Sequence, residues 1–176
     1  MKALEIVRYF IKLHKSLISS IEKSDETEQS EAITHLKIQK LLYYAQGLNL
    51  TYERKPLYPQ SLEAWQHGPV VKEVYDKLKI YGRDDLQDIQ ELQYTKDTLT
   101  LDEKSIVEMA FREYGRYTAS YLRNKTHEEP AWKNAWQRGK NSPISHDEMR
   151  EYFTKEQRQK AEILYSQSKD YRWLFS

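Results

Sequence analysis

The chain has 176 residues and no cysteine, and its 28 Lys and Arg residues nearly balance 27 Asp and Glu residues. The charge balance excludes a strong overall field for nucleic acid or an anionic membrane, and the lack of cysteine excludes disulfide frameworks, cysteine-ligated metals and thiol nucleophiles. The length predicts one domain, and the 39% hydrophobic content suffices for a packed interior.

The first predicted element is an N-terminal helix. Its apolar residues recur at helical spacing from Leu4 to Ile21, but charged residues such as Glu5 and Arg8 interrupt them. The helix therefore lacks the uncharged core of a signal peptide, and no other segment is apolar enough to cross a bilayer. We expect a cytoplasmic protein. The acidic, hydroxyl-rich residues 24–31 predict a loop after this helix.

A second helix is predicted from Thr34, a suitable N-cap, to about Tyr52. The apolar face within residues 36–47 is too wide for a surface helix, which places this helix at the centre of the core. Pro56 and Pro59 prevent the helix from continuing, so an irregular or extended connection is expected to follow.

Residues 65–69, with the sequence Trp-Gln-His-Gly-Pro, predict a rigid, aromatic-flanked corner between two elements. Gly68 frees the backbone dihedrals, whereas Pro69 fixes φ and suits the first turn of a following helix. Apolar residues from Val70 to Tyr81 recur at helical spacing until Gly82. This pattern predicts a third helix that ends at the glycine.

The second half of the chain predicts one small hairpin and several short helices. Alternating apolar residues between positions 92 and 101 predict the hairpin, with its turn at Lys96-Asp97. Helices are predicted for residues 102–114, after Thr118, after Pro130, and from two capping pairs, Ser145 with Glu148 and Thr154 with Gln157. The sequence therefore predicts a mainly α, compact multi-helix single domain with a minor β-hairpin.

His67 and His127 lie beside aromatic and turn residues and are the candidates for proton chemistry. A zinc site needs further ligands at suitable spacing, and the residues after His127 do not form an HExxH motif because position 131 is Ala. No G-x-S-x-G motif, phosphate-binding glycine loop or paired-carboxylate motif is present. We expect no enzymatic activity, cofactor or metal, and the simpler role for the histidines is to bond backbone groups.

Aromatic residues are concentrated in two further places. Trp132 and Trp136 lie four residues apart on one helix face, which is typical of core residues. Residues 171–175, with Trp173 at their centre, either dock back onto the fold or stay exposed for a partner. The basic residues within 133–140 are matched by nearby acids, so no direct nucleic-acid binding is expected.

Three segments in this order resemble the Panacea domain, also called the SocA-like antitoxin family. They are residues 36–47, residues 63–70 and the stretch from Thr126 to Trp132. Residues 144–153 resemble the closing segment of that domain, so the resemblance covers roughly residues 4–153. We therefore expect a Panacea domain over residues 1–153, with residues 154–176 a helical extension packed on it or appended to it.

The resemblance implies an antitoxin of bacterial or prophage toxin–antitoxin systems. Such a protein neutralises a toxin encoded by a neighbouring gene through direct protein–protein binding, and needs neither catalysis nor a cofactor. The motif positions and the C-terminal aromatic residues give ten candidate partner-binding residues: Tyr43, Tyr44, Trp65, His67, Gly68, Pro69, Thr126, His127, Trp132 and Trp173.

Two other functions stay open beside this one. The first is a non-catalytic adaptor or regulator that delivers a partner to a protease or a transcription complex. The second is an uncharacterised hydrolase that uses His67 or His127 as its acid or base. No membrane partner is expected for any of the three.

Overall fold

The computed structural model describes residues 1–24 and 31–170, which form seven α-helices and one two-stranded antiparallel hairpin. This arrangement confirms the predicted mainly α class with a minor hairpin. The elements are α1 Lys2–Ser24, α2 His35–Tyr52, β1 Leu62–Trp65, β2 Gly68–Val71, α3 Lys72–Leu78, α4 Leu101–Tyr114, α5 Ala119–Glu128, α6 Pro130–Arg138 and α7 His146–Asp170.

Helix α2 is the centre of the fold, as its wide apolar face predicts. Every residue from Lys37 to Leu50 is buried, and α1, α4, α5, α7 and β2 all pack around this helix. The side chain of Thr34 accepts a hydrogen bond from the amide of Lys37 and caps the first turn. A helix that is buried on all sides acts as the axis on which the other elements are positioned.

Helix α7 approaches α2 closely at Gly47. A side-chain carbon at this position would overlap the ring of Phe153, so only glycine leaves space for the phenyl group. The Phe153 ring also packs edge-on against Tyr43, with 5.5 Å between ring centroids. Gly47 therefore sets the distance between the central helix and α7.

The hairpin pairs Leu62 with Val71 and Trp65 with Gly68, and Gln66 and His67 form the turn between the strands. On its other side, β1 pairs with residues 141–144. The amide of Ala64 donates to the Ser142 carbonyl at 2.8 Å, and that of Ile144 donates to the Leu62 carbonyl at 2.8 Å. Strand β1 is thus the middle one of three extended segments, and β2 lies at an edge, where a proline is tolerated.

The predicted position of the hairpin was wrong. Residues 92–101 contain no strand; two three-residue 3₁₀ turns at Leu86–Asp88 and Gln90–Leu92 lead into irregular chain. Leu92 and Leu99 are buried, whereas Leu101 is exposed and begins α4 behind a capping box formed by Thr100 and Glu103. The apolar alternation therefore reflects separate contacts and not one face of a sheet.

Two further details of the predicted elements need correction. Pro69, Val70 and Val71 belong to β2, so the third helix begins at Lys72 and not at the proline. The capping signal at Thr154 starts no new helix, because α7 runs without a break from His146 to Asp170. The predicted caps at Thr118 and Ser145 and the helix start at Pro130 are confirmed.

Candidate functional site

The corner at residues 65–69 is held in place by three helices. Lys40 of α2 donates to the carbonyl of Pro69 at 3.0 Å, and the amide of Val71 donates to the Gln39 side chain at 2.8 Å. From α6, the indole of Trp132 donates to the carbonyl of Trp65 at 3.2 Å. Thr126 of α5 supplies the third support, because its hydroxyl lies against the backbone of the turn.

Gly68 allows the side chains of Lys40 and Thr126 to lie close to the backbone of the turn. Its φ is +97°, a conformation that other residues rarely adopt. A side-chain carbon at this position would lie 2.8 Å from Lys40 Cε and 2.9 Å from both Lys40 Nζ and Thr126 Oγ1. The corner therefore needs glycine both for its backbone conformation and for its packing.

His127 belongs to an aromatic stack that contacts the corner through Trp132. Its ring is stacked on Trp132 with 4.1 Å between centroids, and Trp132 is stacked on Trp136 at 5.4 Å. Burial lowers the pKa of His127, and the neighbouring charge of Arg123 lowers it further. His127 Nε2 is buried without a hydrogen-bond partner among the described residues. The imidazole is therefore neutral near pH 7 and acts here as a packing group.

A pocket of about 470 Å³ opens beside the hairpin turn, and we call it the corner pocket. Aromatic rings form much of its wall, with Trp65 and Tyr75 in contact at 4.9 Å between centroids. Its titratable lining residues are imidazoles, amines and a phenol, with no carboxylate among the described residues. The lining residues are His35, Leu36, Lys40, Trp65, Gln66, His67, Val70, Tyr75, Trp136, Lys140 and Asn141.

Two buried nitrogen groups of the corner pocket have unused hydrogen-bonding capacity. Lys40 is 2% exposed, and its amine makes one hydrogen bond, to Pro69, although an ammonium group has three donors. His35 is 8% exposed, and its Nδ1 has no partner among the described residues. Burial lowers the pKa of Lys40 to about 7, and the positive charge of Arg123 contributes to this shift.

Tyr44 lies elsewhere, in a buried polar cluster that we call the core network: Tyr44, Lys125, Glu129 and Glu156. The Tyr44 hydroxyl donates to Glu129 Oε1 at 3.0 Å, and Lys125 donates to the same oxygen and to Glu156 Oε1, both at 3.2 Å. Tyr44 is also stacked on Tyr114, with 3.8 Å between ring centroids. The network joins α2, α5 and α7, and Glu129 at its centre is the residue that precedes α6.

Charges in the core network compensate one another. Burial raises the pKa of Glu129, and Lys125 offsets part of this shift. Burial opposes the charge on Lys125, but Glu129 and Glu156 outweigh it, so the pKa of Lys125 is raised. The hydroxyls of Tyr43 and Tyr44 both lie beside the Glu129 carboxylate and lower its pKa again in part. Lys125 thus offsets only part of the unfavourable burial of Glu129, and the side chains of Lys125 and Glu156 stay partly exposed at the edge of the network.

The structure thus divides the predicted candidate residues into two groups. Trp65, His67, Gly68, Pro69, Thr126, His127 and Trp132 come together at the corner, whereas Tyr43 and Tyr44 lie in the core. Trp173 lies outside the described residues.

Sequence reasoning did not single out the remaining lining residues of the corner pocket, above all His35, Tyr75 and Lys140. Lys40 gives a signal in the sequence, because it is a charged residue within the segment 36–47, whose apolar face is wide. Trp136 was expected in the core and is half-buried at the pocket wall. Lys140 was expected on a solvated face, and it is exposed at the pocket rim.

A larger groove, of about 980 Å³, runs along α7. Basic residues such as Arg54 and Arg158 line it together with acidic ones such as Asp147 and Glu162, and it has no aromatic wall. Most of its side chains are exposed, and Arg150 and Asp147 form an ion pair across one turn of the helix. Exposed pairs of this kind are weak, so the groove is a solvated surface and a poorer site than the corner pocket.

In residues 1–24 and 31–170, no hydroxyl or carboxylate forms a hydrogen bond with His67 or His127, and no three acidic or imidazole side chains converge on a metal position. Among the same residues, no helix has both the length and the apolar character that a bilayer span requires.

A comparison with protein families finds one match that covers the corner. The family described as antitoxin SocA-like, Panacea domain, matches residues 38–133, which include most of α2, the hairpin, α5 and the first turn of α6. No curated protein and no solved structure matches the chain. The matched range is more than half of the 176 residues.

Proposed function

The chain belongs to the SocA-like antitoxin family with a Panacea domain, and from this membership we propose that it is an antitoxin that neutralises a protein toxin by binding it directly. The proposed binding surface is centred on the hairpin turn at Gln66 and His67. It includes the corner pocket and the adjoining face of α5 and α6. The toxin is expected to be the product of a neighbouring gene.

The observation that supports this proposal is the rigidity of an exposed turn. Gln66 and His67 are exposed, but the residues on either side of them are held by Lys40, Thr126 and Trp132. A loop that is ordered before binding loses little conformational entropy when a partner docks. Such preorganisation favours a recognition element over a simple connection.

The composition of the surface also fits a protein interface. Half-buried Trp65 and Trp136 lie near its centre, Leu36 is partly exposed beside them, and Lys140 lies at the rim. Interfaces commonly obtain most of their affinity from a few aromatic anchors that are surrounded by polar residues. The corner is an aromatic anchor of this type.

The first test is expression of the neighbouring gene with and without this protein, followed by co-purification of the pair. We expect the neighbour alone to arrest growth, and growth to recover when the two proteins form a complex. A neighbour that causes no arrest and does not co-purify would contradict the proposal.

Trp65→Ala tests the location of the surface. The variant should stay folded, because this side chain is half-buried, and should bind the toxin about thirtyfold more weakly, as expected for a central aromatic anchor. Tyr52→Ala is the matched control, since Tyr52 is an exposed aromatic residue at the other end of α2, about 25 Å along the helix. Equal affinities of folded Trp65→Ala and wild type would place the interface elsewhere.

Two controls distinguish the other functions. Direct neutralisation should survive deletion of each major cellular protease, whereas protection that disappears would indicate an adaptor that delivers the toxin for degradation. A folded double variant, His67→Gln with His127→Gln, should lose any hydrolytic activity that depends on the imidazoles. Full protection by that variant would remove the basis for a hydrolase.

A further inference from the structure

We propose that the corner pocket is an anchor site for an acidic side chain, Asp or Glu, of the protein partner. The inference rests on the proposed function, because it names the chemical group of the toxin that the corner recognises. Lys40 at the base and Lys140 at the rim are the amines that would hold the carboxylate. Its first support is that no acidic side chain stands among the described residues that line the pocket.

The pocket has two buried nitrogen groups whose hydrogen-bonding capacity the described chain does not use in full. The Lys40 amine makes a single hydrogen bond, although it is 2% exposed, and His35 Nδ1 makes none. Buried polar groups are usually satisfied, so an amine with unused donors at the base of a pocket indicates a missing acceptor. A carboxylate has two oxygens and accepts several hydrogen bonds at once.

The local field also favours a negative charge. The first turn of α2, with His35 and Leu36, borders the pocket, and the amino end of an 18-residue helix carries partial positive charge. Glu63 accepts a hydrogen bond from the Trp65 indole at 2.8 Å and does not line the pocket. An incoming carboxylate would therefore meet amines, imidazoles and a helix terminus.

The walls of the pocket strengthen this attraction. Trp65, Tyr75 and Trp136 form apolar sides, and the centroids of Tyr75 and His35 are 5.8 Å apart. Its volume of about 470 Å³ is sufficient for an acidic side chain together with part of a neighbouring residue. Charged hydrogen bonds that are shielded from water by such walls are stronger than those on an open surface.

Isolated protein provides the first part of the test, with phenylacetate as the probe and neutral 2-phenylacetamide as its matched control. We expect phenylacetate to shift the indole N–H signals of Trp65 and Trp136 in a saturable way, and the amide to have no such effect. Lys140→Gln should weaken phenylacetate binding about fivefold, the effect of one partly exposed ion pair. Lys133→Gln, an exposed lysine of the same region that pairs with Glu128, should change nothing. Equal shifts from acid and amide would overturn the inference.

The second part uses the complex with the co-purified toxin. Lys140→Glu should weaken binding at least tenfold, and replacement of one toxin Asp or Glu by Lys should restore most of the loss. Lys40→Met should weaken binding about thirtyfold while the protein stays folded. A complex that tolerates both lysine variants and shows no coupled toxin carboxylate would overturn the inference and leave the proposed function intact.

The two proposals fail in different ways. If the wild-type chain binds no neighbouring protein, the antitoxin proposal fails and the anchor inference fails with it. A positive phenylacetate result would then identify the pocket as a site for a small acid. If the toxin binds and the lysines matter, both proposals hold.

Discussion

The core network and the corner pocket each contain a buried ionisable residue, Glu129 in the first and Lys40 in the second, but the surroundings of the two residues differ. In the core network, Lys125 bonds to Glu129 and Glu156, so each charge has an opposite one nearby. In the corner pocket, Lys40 and Lys140 have no acid beside them among the lining residues. Other residues of the chain therefore compensate the charges of the core network, whereas no acidic lining residue compensates the amines of the corner pocket.

We propose that this difference distinguishes a structural network from a recognition site. A compensated network connects helices and needs nothing further, and breaking it is expected to destabilise the fold. In the pocket, the uncompensated charge between aromatic walls lowers the stability of the free protein. A bound partner of opposite charge would remove this destabilisation. The following predictions, in order of decreasing effect, test this contrast.

Glu129→Ala should cause the largest loss of stability. It leaves the Tyr44 hydroxyl without its acceptor and Lys125 with a single acidic partner, and we expect unfolding free energy to fall by about 3 kcal/mol. Urea denaturation measures the effect. Glu128→Ala is the control, because Glu128 is exposed and its loss should cost less than about 0.5 kcal/mol. Similar losses in both variants would mean that the core network contributes little.

Gly68→Ala should be the next most damaging change. The new methyl group meets Lys40 and Thr126, and alanine is unfavourable at the φ of +97°, so we expect the unfolding free energy to fall by about 2 kcal/mol. Gly82→Ala also places an alanine at a positive φ, +53°, but its methyl group has no atom within 4 Å. The unfolding free energy of Gly82→Ala should therefore fall by only about 1 kcal/mol. Equal losses on denaturation would show that packing at the corner is unimportant.

The pH dependence of stability tests the buried amine. Lysine has an ordinary pKa of 10.5, and burial lowers the pKa of Lys40 to about 7 in the folded chain. Between these values the unfolded chain binds a proton that the folded chain releases, so the contribution of Lys40 to stability rises with pH and is lost as pH falls towards 7. From about pH 7.5 to about pH 9, wild type should gain about 1 to 2 kcal/mol relative to Lys40→Met. Parallel curves for the two proteins would contradict this.

Lys40→Met should have the smallest effect on stability, although it removes a buried charge. The methionine fills similar space, and loss of the hydrogen bond to Pro69 is offset by loss of an uncompensated amine, so the change near pH 7 should be below about 1 kcal/mol. A loss as large as that of Glu129→Ala would erase the contrast between the two sites.

Local signals in the sequence predicted most of the fold. The wide apolar face of α2, the caps at Thr34 and Thr118 and the proline that opens α6 all act within a few residues, and the structure confirms them. The hairpin was misplaced because its partners include residues 141–144, far along the chain. Long-range pairing of this kind has no local signature.

The site could be predicted only in part for the same reason. The Trp-Gln-His-Gly-Pro corner is visible in the sequence, and its closeness to Trp132 follows from the family resemblance. The pocket itself is formed by His35, Tyr75 and Lys140, which are brought together by tertiary contacts alone. The compensation of Glu129 by Lys125 follows helical i, i+4 spacing, but its burial depends on α2 and α7.

The pairing of β1 with residues 141–144 also determines when the corner is completed during synthesis of the chain. The family match ends at residue 133, yet the segment that completes the extended layer beside Trp65 follows it in the chain. Domains form as units while the chain emerges from the ribosome. A nascent chain that has not yet released residue 144 therefore lacks the finished corner, and the surface that we propose for partner binding forms only after residues 141–144 have paired with β1.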